Sequence, residues 1–476
     1  MRFSFSRRAP ATPVRAVSRL VRRAALIGIA TVAPLVPTRA QASRTSTHDT
    51  ASASAASARS ASALDPLVAR ALAVNPTIHA ATARAKAAQM RVGPAGARPD
   101  PLLMAGIQNF PIAKPGFSDF MTMKMIGVSQ TFPYPGKLSL QTRAAVDEAS
   151  ASRAAIDAAR LDVTAQVKEA YYDLAFADRA LEIARRNQAV LTNLIAVSQA
   201  RYATGSGTQA DVLRARTETA NLDDAASALI EKRRAALAQL NALLDRPTNT
   251  AVDEPAIPAR IVGAAVADSA SHVHFVSDGL GARAADSPIF PLDSLEALAV
   301  ANSPMLQEHI AQIAAQRARL DFARKAHLPD ISVSLDYGQR QGFTDMVSAI
   351  VSIPIPLQKG RKQDAEVAES EAELATLEAQ HHEMVNALYA EIATQVGDVE
   401  RARTELALAK RAILPQAQAR LASATASYQV GRLDLAGVMD AQASVFNTET
   451  TYYRSLTEFA KHLAELERTV GTGVLR

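Results

Sequence analysis

The sequence predicts a mainly α fold with a smaller membrane β-barrel portion, written as two internal repeats of long coiled-coil hairpins. Three observations carry this. The 476 residues include no cysteine, no tryptophan and only 5% aromatics, and the chain is rich in alanine. That balance suits long helices better than a compact enzyme. Long proline-poor stretches repeat apolar residues at steps of four and three, the spacing of a coiled-coil seam. Shorter stretches before them alternate apolar and polar residues at period two, the spacing of strands.

The chain opens as an export signal. Arg2, Arg7, Arg8, Arg15, Arg19, Arg22 and Arg23 precede an apolar run from Ala24 to Val36, and small residues follow at Ala40 and Ala42. The run is short for a membrane helix, and the pattern fits a secretory signal peptide over 1–40. Arg7-Arg8 lacks the flanks of a twin-arginine signal, so the general secretory route is expected. The segment holds eight of the 52 basic residues and no acid, so cleavage after Ala40 leaves 44 basic against 47 acidic residues, a net of −3. The basic balance of the whole chain therefore gives no reason to expect a nucleic-acid partner. Without cysteine there is no disulfide, thiolate ligand, cysteine nucleophile or lipid-anchor motif. Residues 41–63, rich in serine and alanine, read as disordered.

From Leu64 the chain is written twice. "LDPLVARALAVNP" at Leu64 matches "LDSLEALAVANSP" at Leu292, and Phe132-Pro133 matches Ile355-Pro356. "YATGSGTQADVLRA" at Tyr202 matches "YQVGRLDLAGVMDA" at Tyr428. Three blocks in order at nearly constant offset mark an internal duplication. The first repeat spans 64–244 and the second 292–471. The stretch 245–291 between them, rich in Pro, Gly, Ser and Asp, reads as a linker or small irregular layer.

Each repeat opens with a helix, over about 65–97 and 293–326. Two candidate strands follow. Residues 331–337 alternate most cleanly, with Ile331, Val333, Leu335 and Tyr337 against Ser332, Ser334 and Asp336. Residues 347–355 alternate less strictly, 102–110 least, and 120–132 carry a lane of Met121, Met123 and Met125. Each is close to the roughly nine to eleven residues that a tilted strand needs to cross a bilayer. Alternation gives one apolar and one polar face, as a lipid-facing wall around a wet lumen requires. A strand pair on a soluble core would alternate equally well. Period two makes the methionine lane a lipid-facing row rather than a set of soft-metal ligands.

Strand then becomes helix at "FPYPGKLSL" (132–140) and at "IPIPLQKGR" (353–361). Phe132, Pro133, Pro135 and Gly136 correspond to Ile355, Pro356 and Gly360. Proline ends the ladder because it cannot donate, and it biases the residue before it away from helix. Gly136 and Gly360 are expected to supply an unusual backbone angle.

Very long helices follow, over about 138–203 and 361–429. Their seams run Val163, Val167, Ala170, Leu174, Ala177, Leu181, Ala184, Gln188, Leu191, Ile195 and Leu388, Ile392, Gln395, Val399, Ala402, Leu406, Ala409, Ile413. A helix of this length reaches on the order of 100 Å, so it crosses or lines something. Pro415 is expected to bend the second. A glycine turn and another helix, about 209–243 and 433–470, close each hairpin.

These features together resemble the TolC family of outer membrane efflux proteins, over nearly all of the chain from about Leu64 to Gly471. The two turn motifs resemble the family's interhelical turns. "FPYPGKLSL" resembles the first strand-to-helix junction of relatives serving metal-cation exporters. The resemblance implies a homotrimer whose chains each give four strands to a shared twelve-stranded barrel in outer membrane lipid. It also implies a helical tunnel across the periplasm, whose tip docks a periplasmic adaptor protein and an inner-membrane pump. Four strands alone close no barrel, since single-chain barrels begin at about eight. On that likeness Tyr202, Gly205, Thr208, Asp211 and Val212 form one tip, and Tyr428, Gly431, Leu433 and Val438 the other. Two departures stand out. Ser206-Gly207 replaces the apolar residue that relatives often place after the turn glycine, and Gly437 stands where the first repeat has Asp211. The two tips are therefore expected to contribute unequally.

No cofactor is expected, and no nucleophile–base–acid set stands out. His272, His274, His381 and His382 lack the i, i+4 spacing of a helical metal pair, so no resident metal site is assigned. The rival class is a soluble periplasmic coiled-coil scaffold that binds partners and conducts nothing.

Overall fold

The computed structural model describes residues 63–113, 115–253, 255–266 and 291–475. The expected signal segment, nearly all of the 41–63 segment, and 267–290 of the linker with His272 and His274 lie outside the described residues.

Each repeat opens with two helices where the sequence suggested one. α1 (Leu64–Val74) and α2 (Pro76–Gly96) meet at Asn75, and their counterparts α6 (Leu292–Asn302) and α7 (Pro304–Arg324) meet at Ser303. The cause is local. A residue before proline is pushed out of helical ψ, and Asn75 and Ser303 stand at ψ 126° and 113°. Each then caps the next helix: the Asn75 side chain accepts from the Thr77 N–H and Ser303 from the Leu306 N–H. Proline fits the first helical position, where its missing N–H has no partner to lose.

The strands β1 (Leu102–Gln108), β2 (Met123–Phe132), β3 (Ile331–Gln339) and β4 (Met346–Ser352) form one antiparallel sheet in the order β1-β2-β3-β4. The two repeats join where β2 pairs β3, with Phe132 opposite Ile331, Val128 opposite Leu335 and Ile126 opposite Tyr337. Ladder partners share a face, so the register defines both faces. One carries Leu103, Ala105, Ile107, Ile126, Val128, Phe132, Ile331, Val333, Leu335, Tyr337, Val347 and Val351, interrupted by Lys124, Gln130 and Gln339. The other carries Ser129, Thr131, Ser332, Ser334, Asp336, Ser348 and Ser352. The polar face is the more shielded in β2 and β3, as on the inside of a curled sheet.

The register corrects the methionine lane. Met121 lies outside β2, and Met123 and Met125 fall on the polar face, opposite in direction to Ile126 and Val128. Period two placed them on a common face. The neighbours decide which one.

α3 (Lys137–Ala203) is unbroken over 67 residues, and α4 (Gln209–Leu243) returns along it. α5 (Ala259–Val266) follows, and its Ile261 and Ala265 sit in the main core. In the second repeat the long helix is not uniform. α8 (Gln363–Leu408) passes through a wide π turn at Ala409–Ile413 into α9 (Leu414–Gln429), and α10 (Leu435–Val470) returns. Pro415 explains the turn, because it cannot donate and would clash with the turn before it. The wide turn inserts a residue into the helical repeat, so the seam stays buried through Ala409, leaves Ile413 exposed and resumes at Ala417. In α3 the expected Gln188 is likewise exposed, bonded to Asp223 at 2.8 Å, and Leu194 is buried in the seam beyond Leu191.

Two cores hold the rods together. The larger gathers Tyr171, Tyr172 and Leu174 of α3, Ile392 and Leu406 of α8, and Phe459 and Leu463 of α10. The smaller joins Leu191 and Leu194 of α3, Ala215 and Leu222 of α4, Tyr428 of α9, and Leu435 and Val438 of α10. The second core lies near the ends of both hairpins and sets the geometry there.

Candidate functional site

The two hairpin turns use one backbone plan. After α3, the Gly205 N–H donates to the Tyr202 carbonyl; after α9, the Gly431 N–H donates to that of Tyr428. Gly205 and Gly431 sit at φ 75° and 74°, the left-handed angle that ends helices and favours glycine. The next helix is capped by different chemistry in each turn. Thr208 and Asp211 form a reciprocal capping box for α4, whereas Asp434 alone caps α10, accepting from the Gly437 N–H at 3.0 Å. Thr208 and Asp434 occupy the same position in the repeat. The exchange explains how Gly437 can replace Asp211 without loss of the cap.

The side chains at the two turns are not alike. Tyr202 is 51% exposed, while its counterpart Tyr428 is 4% exposed and Val438 is 1% exposed within the smaller core. Leu433 folds back against Gly437 and packs on the same core. Tyr428, Val438 and Leu433 therefore hold the second turn in shape, and Val430, at 69% exposed, is its apolar surface residue. On the first turn Val212 is half-buried and Leu213 is exposed.

Arg201 ties the turns together. Its guanidinium donates to the Tyr428 carbonyl, donates to the Ser206 carbonyl at 3.2 Å, and lies 4.5 Å from the centre of the Tyr428 ring. Cation–π contact and hydrogen bonding to carbonyls reinforce each other here. The sequence reading did not single out Arg201. The only signal was an asymmetry, since Ser427 stands at the equivalent place beside Tyr428.

The strand-to-helix junctions also differ. Gly136 has φ 89° at the N-cap of α3, as expected. Gly360 does not adopt a left-handed angle and lies in the turn just before α8, so the expectation of an unusual angle there is corrected. Two prolines, Pro354 and Pro356, follow the end of its strand at Ser352, and a turn over 357–362 completes the reversal without one. The first junction is fastened across the repeats. The buried Lys137 ammonium donates to Asp330 Oδ1 and to the Leu328 carbonyl, both at 2.8 Å, and the Tyr134 N–H donates to Asp330. Burial pushes the Asp330 carboxyl up, but these bonds and the Lys137 charge outweigh it and hold it below its ordinary range.

Among the described residues, no group of three or more His, Asp or Glu side chains is placed to hold a metal ion. His309 and His381 stack at 5.7 Å, two imidazoles without further ligands. No described helix is long and apolar enough to cross a membrane.

The model of the outer membrane efflux protein family matches residues 67–246 and 295–472. The chain belongs to the outer membrane efflux protein family. It is 21% identical over 343 residues to the cobalt-zinc-cadmium resistance protein CzcC of Cupriavidus metallidurans, covering 71% of this chain and 74% of that one. The outer-membrane channel OprN superposes with a TM-score of 0.70 at 18% identity, covering 86% of this chain and 90% of that chain. VceC of Vibrio cholerae gives 0.69 at 21%, covering 86% and 96%. The family's fold, paired helical hairpins in two repeats with a strand portion, is thus the fold of this chain, and its members are efflux channels.

Proposed function

We propose that this protein is the passive exit duct of a tripartite efflux system. Three copies share a twelve-stranded barrel in the outer membrane and extend their helices into the periplasm. The observation that carries this reading is the open four-stranded sheet. One face is mainly apolar, the other carries the serines, Thr131 and Asp336 among methionines and glycines, and both outer strands have free edges. Free edges invite another copy, and an apolar band around a polar interior is what a membrane barrel needs.

The turns at Tyr202–Asp211 and Tyr428–Val438 form the periplasmic tip that docks an adaptor protein and, through it, an inner-membrane pump. Energy comes from the pump. Opening the tip requires the hairpins to slide between discrete packed arrangements, and the Arg201 link to the second turn ties the two hairpins in one of them. The relative named for cobalt-zinc-cadmium resistance and the "FPYPGK" junction support heavy-metal cations as the cargo.

The test has two arms. Light scattering in mild detergent, with detergent subtracted, measures the mass of protein taken from the outer-membrane fraction. Three times the chain mass supports the shared barrel, and a monomer or dimer recovered without detergent replaces the duct with the soluble scaffold. Deleting 205–211 is expected to abolish export while trimers persist; unchanged resistance in that deletant would remove the tip assignment.

A further inference from the structure

The polar face of the sheet carries a group of side chains that a water-filled wall does not require. Two adjacent rows cross it. In one, Gly106, Met125, Gly338 and Met346 are successive ladder partners; in the next, Met104, Gly127, Asp336 and Ser348. Glycine and methionine alternate like a chequerboard, so each glycine leaves a gap beside thioethers. The gaps are used. The Met123 thioether lies over Gly338, where a β-carbon would be only 2.6 Å from its sulfur, and Asp336 Oδ1 lies over Gly127 between Met104 and Met125.

Asp336 is the anomaly. It is 5% exposed, and its Oδ2 accepts from the Ser334 hydroxyl at 3.3 Å, yet Oδ1 has no hydrogen-bond partner among the described residues. A shielded carboxylate oxygen without a partner is costly, and a cation would offset that cost. Gly127, over which its Oδ1 lies, has Met104 as its other ladder partner and Met125 two residues along its strand, and no imidazole or second carboxylate lies on the four strands. Neutral thioethers beside a single negative charge suit a soft, singly charged ion. Harder divalent ions are better served by imidazole and several oxygens.

We propose that Met104, Met123 and Met125, on the adjacent strands β1 and β2, with Asp336 as counter-charge, form a binding site for a soft monovalent cation of the Cu(I) or Ag(I) class. Its place in a flow path rests on the duct reading, and there it names the class of cargo. Thioethers hold such ions without the tenacity of thiolates, and conduction needs sites that release as well as bind.

The test is a calorimetric titration of the full-length protein in detergent with Ag(I) in chloride-free buffer, repeated with Zn(II). Stoichiometric, saturable uptake of Ag(I) without uptake of Zn(II) is expected. The paired substitution Met104→Leu and Met125→Leu keeps volume and apolarity and should abolish the uptake. Asp336→Asn should weaken it about tenfold, as loss of a supporting group around a metal does. Met90→Leu with Met305→Leu, outside the sheet, should leave it unchanged. Equal Ag(I) binding by the Met104 and Met125 variant, no stoichiometric binding by the unaltered protein, or equal affinity for Zn(II) each overturns the proposal and leaves these methionines as packing. A trimer in the outer membrane that takes up no Ag(I) removes this site alone. A soluble monomer removes the duct while the titration still decides the site.

Discussion

At the scale of single residues, Gly136 and Gly360 occupy nearly equivalent places and do different work. Gly136 has a left-handed backbone, and a β-carbon there would press on the Lys325 ammonium. Gly136→Ala is therefore expected to cost about 1–2 kcal/mol. Gly360→Ala meets only Asp364 Oδ2, at 3.8 Å, and should shift stability by less than about 0.5 kcal/mol. Thermal melts of the two variants in one detergent check the contrast; equal shifts would remove the backbone argument. Asp330 gives a pH test. Its folded carboxyl is more acidic than the unfolded one, so the folded state binds fewer protons as pH falls. Its contribution is complete above about pH 4 and fades as pH drops through the lowered value. The Asp330 side chain is 38% exposed, so solvent screening limits Asp330→Asn to a loss of about 1 kcal/mol near neutral pH. That difference between variant and parent should shrink on acidification. A constant gap across the acid range would show that the carboxylate charge is not what fastens the junction.

At the scale of elements, alanine sets how closely the rods approach. Ala170, Ala177 and Ala184 are buried along α3 between larger seam residues. Ala177→Leu should cost about 1–3 kcal/mol by overpacking, read as an earlier loss of helical circular dichroism on heating. A melt like that of the parent would mean that the neighbouring helices have room there. The long helices, both turns and all four strands were legible in the sequence, because period, length and breakers are local properties. The breaks at Asn75 and Ser303 were equally local. Pro76 and Pro304 stood within the matched blocks, and the helical spacing across them masked the rule about the residue before proline. The wide turn at Ala409–Ile413 was legible only as a bend at Pro415. How a helix absorbs a proline depends on what its faces pack against.

At the scale of the whole molecule, the repeat places counterparts of the junction residues at both edges of the sheet. Asp330 precedes β3 and holds Lys137, which follows the adjacent β2. Asp100 stands at the matching place before β1, and Lys359 and Lys362 follow β4 around Gly360. Those strands are the two edges of the sheet. If β4 of one copy pairs with β1 of the next, each copy's Asp100 meets the lysines of its neighbour. Asp100→Lys is then expected to lower the trimer fraction in mild detergent, and adding Lys359→Asp with Lys362→Asp should restore it. Trimers indifferent to Asp100→Lys would break the equivalence between the two junctions. The residues of the two hairpin turns show the same division. The turn glycines were readable from spacing, whereas Arg201 was not, because its partner Tyr428 is 227 residues away.

The sequence by itself determined the duplication, the lengths and order of the elements, and the places where strand turns to helix, because these follow from periodicity, proline and glycine acting over a few residues. Only the tertiary structure decided which sheet face holds the methionines, which hairpin-turn residues are buried, and which charges cross between repeats. The physical reason is that a period says which side chains share a face and nothing about what that face meets. That is settled by ladder register and helix packing between residues far apart in the chain, such as Gly127 with Asp336 and Lys137 with Asp330.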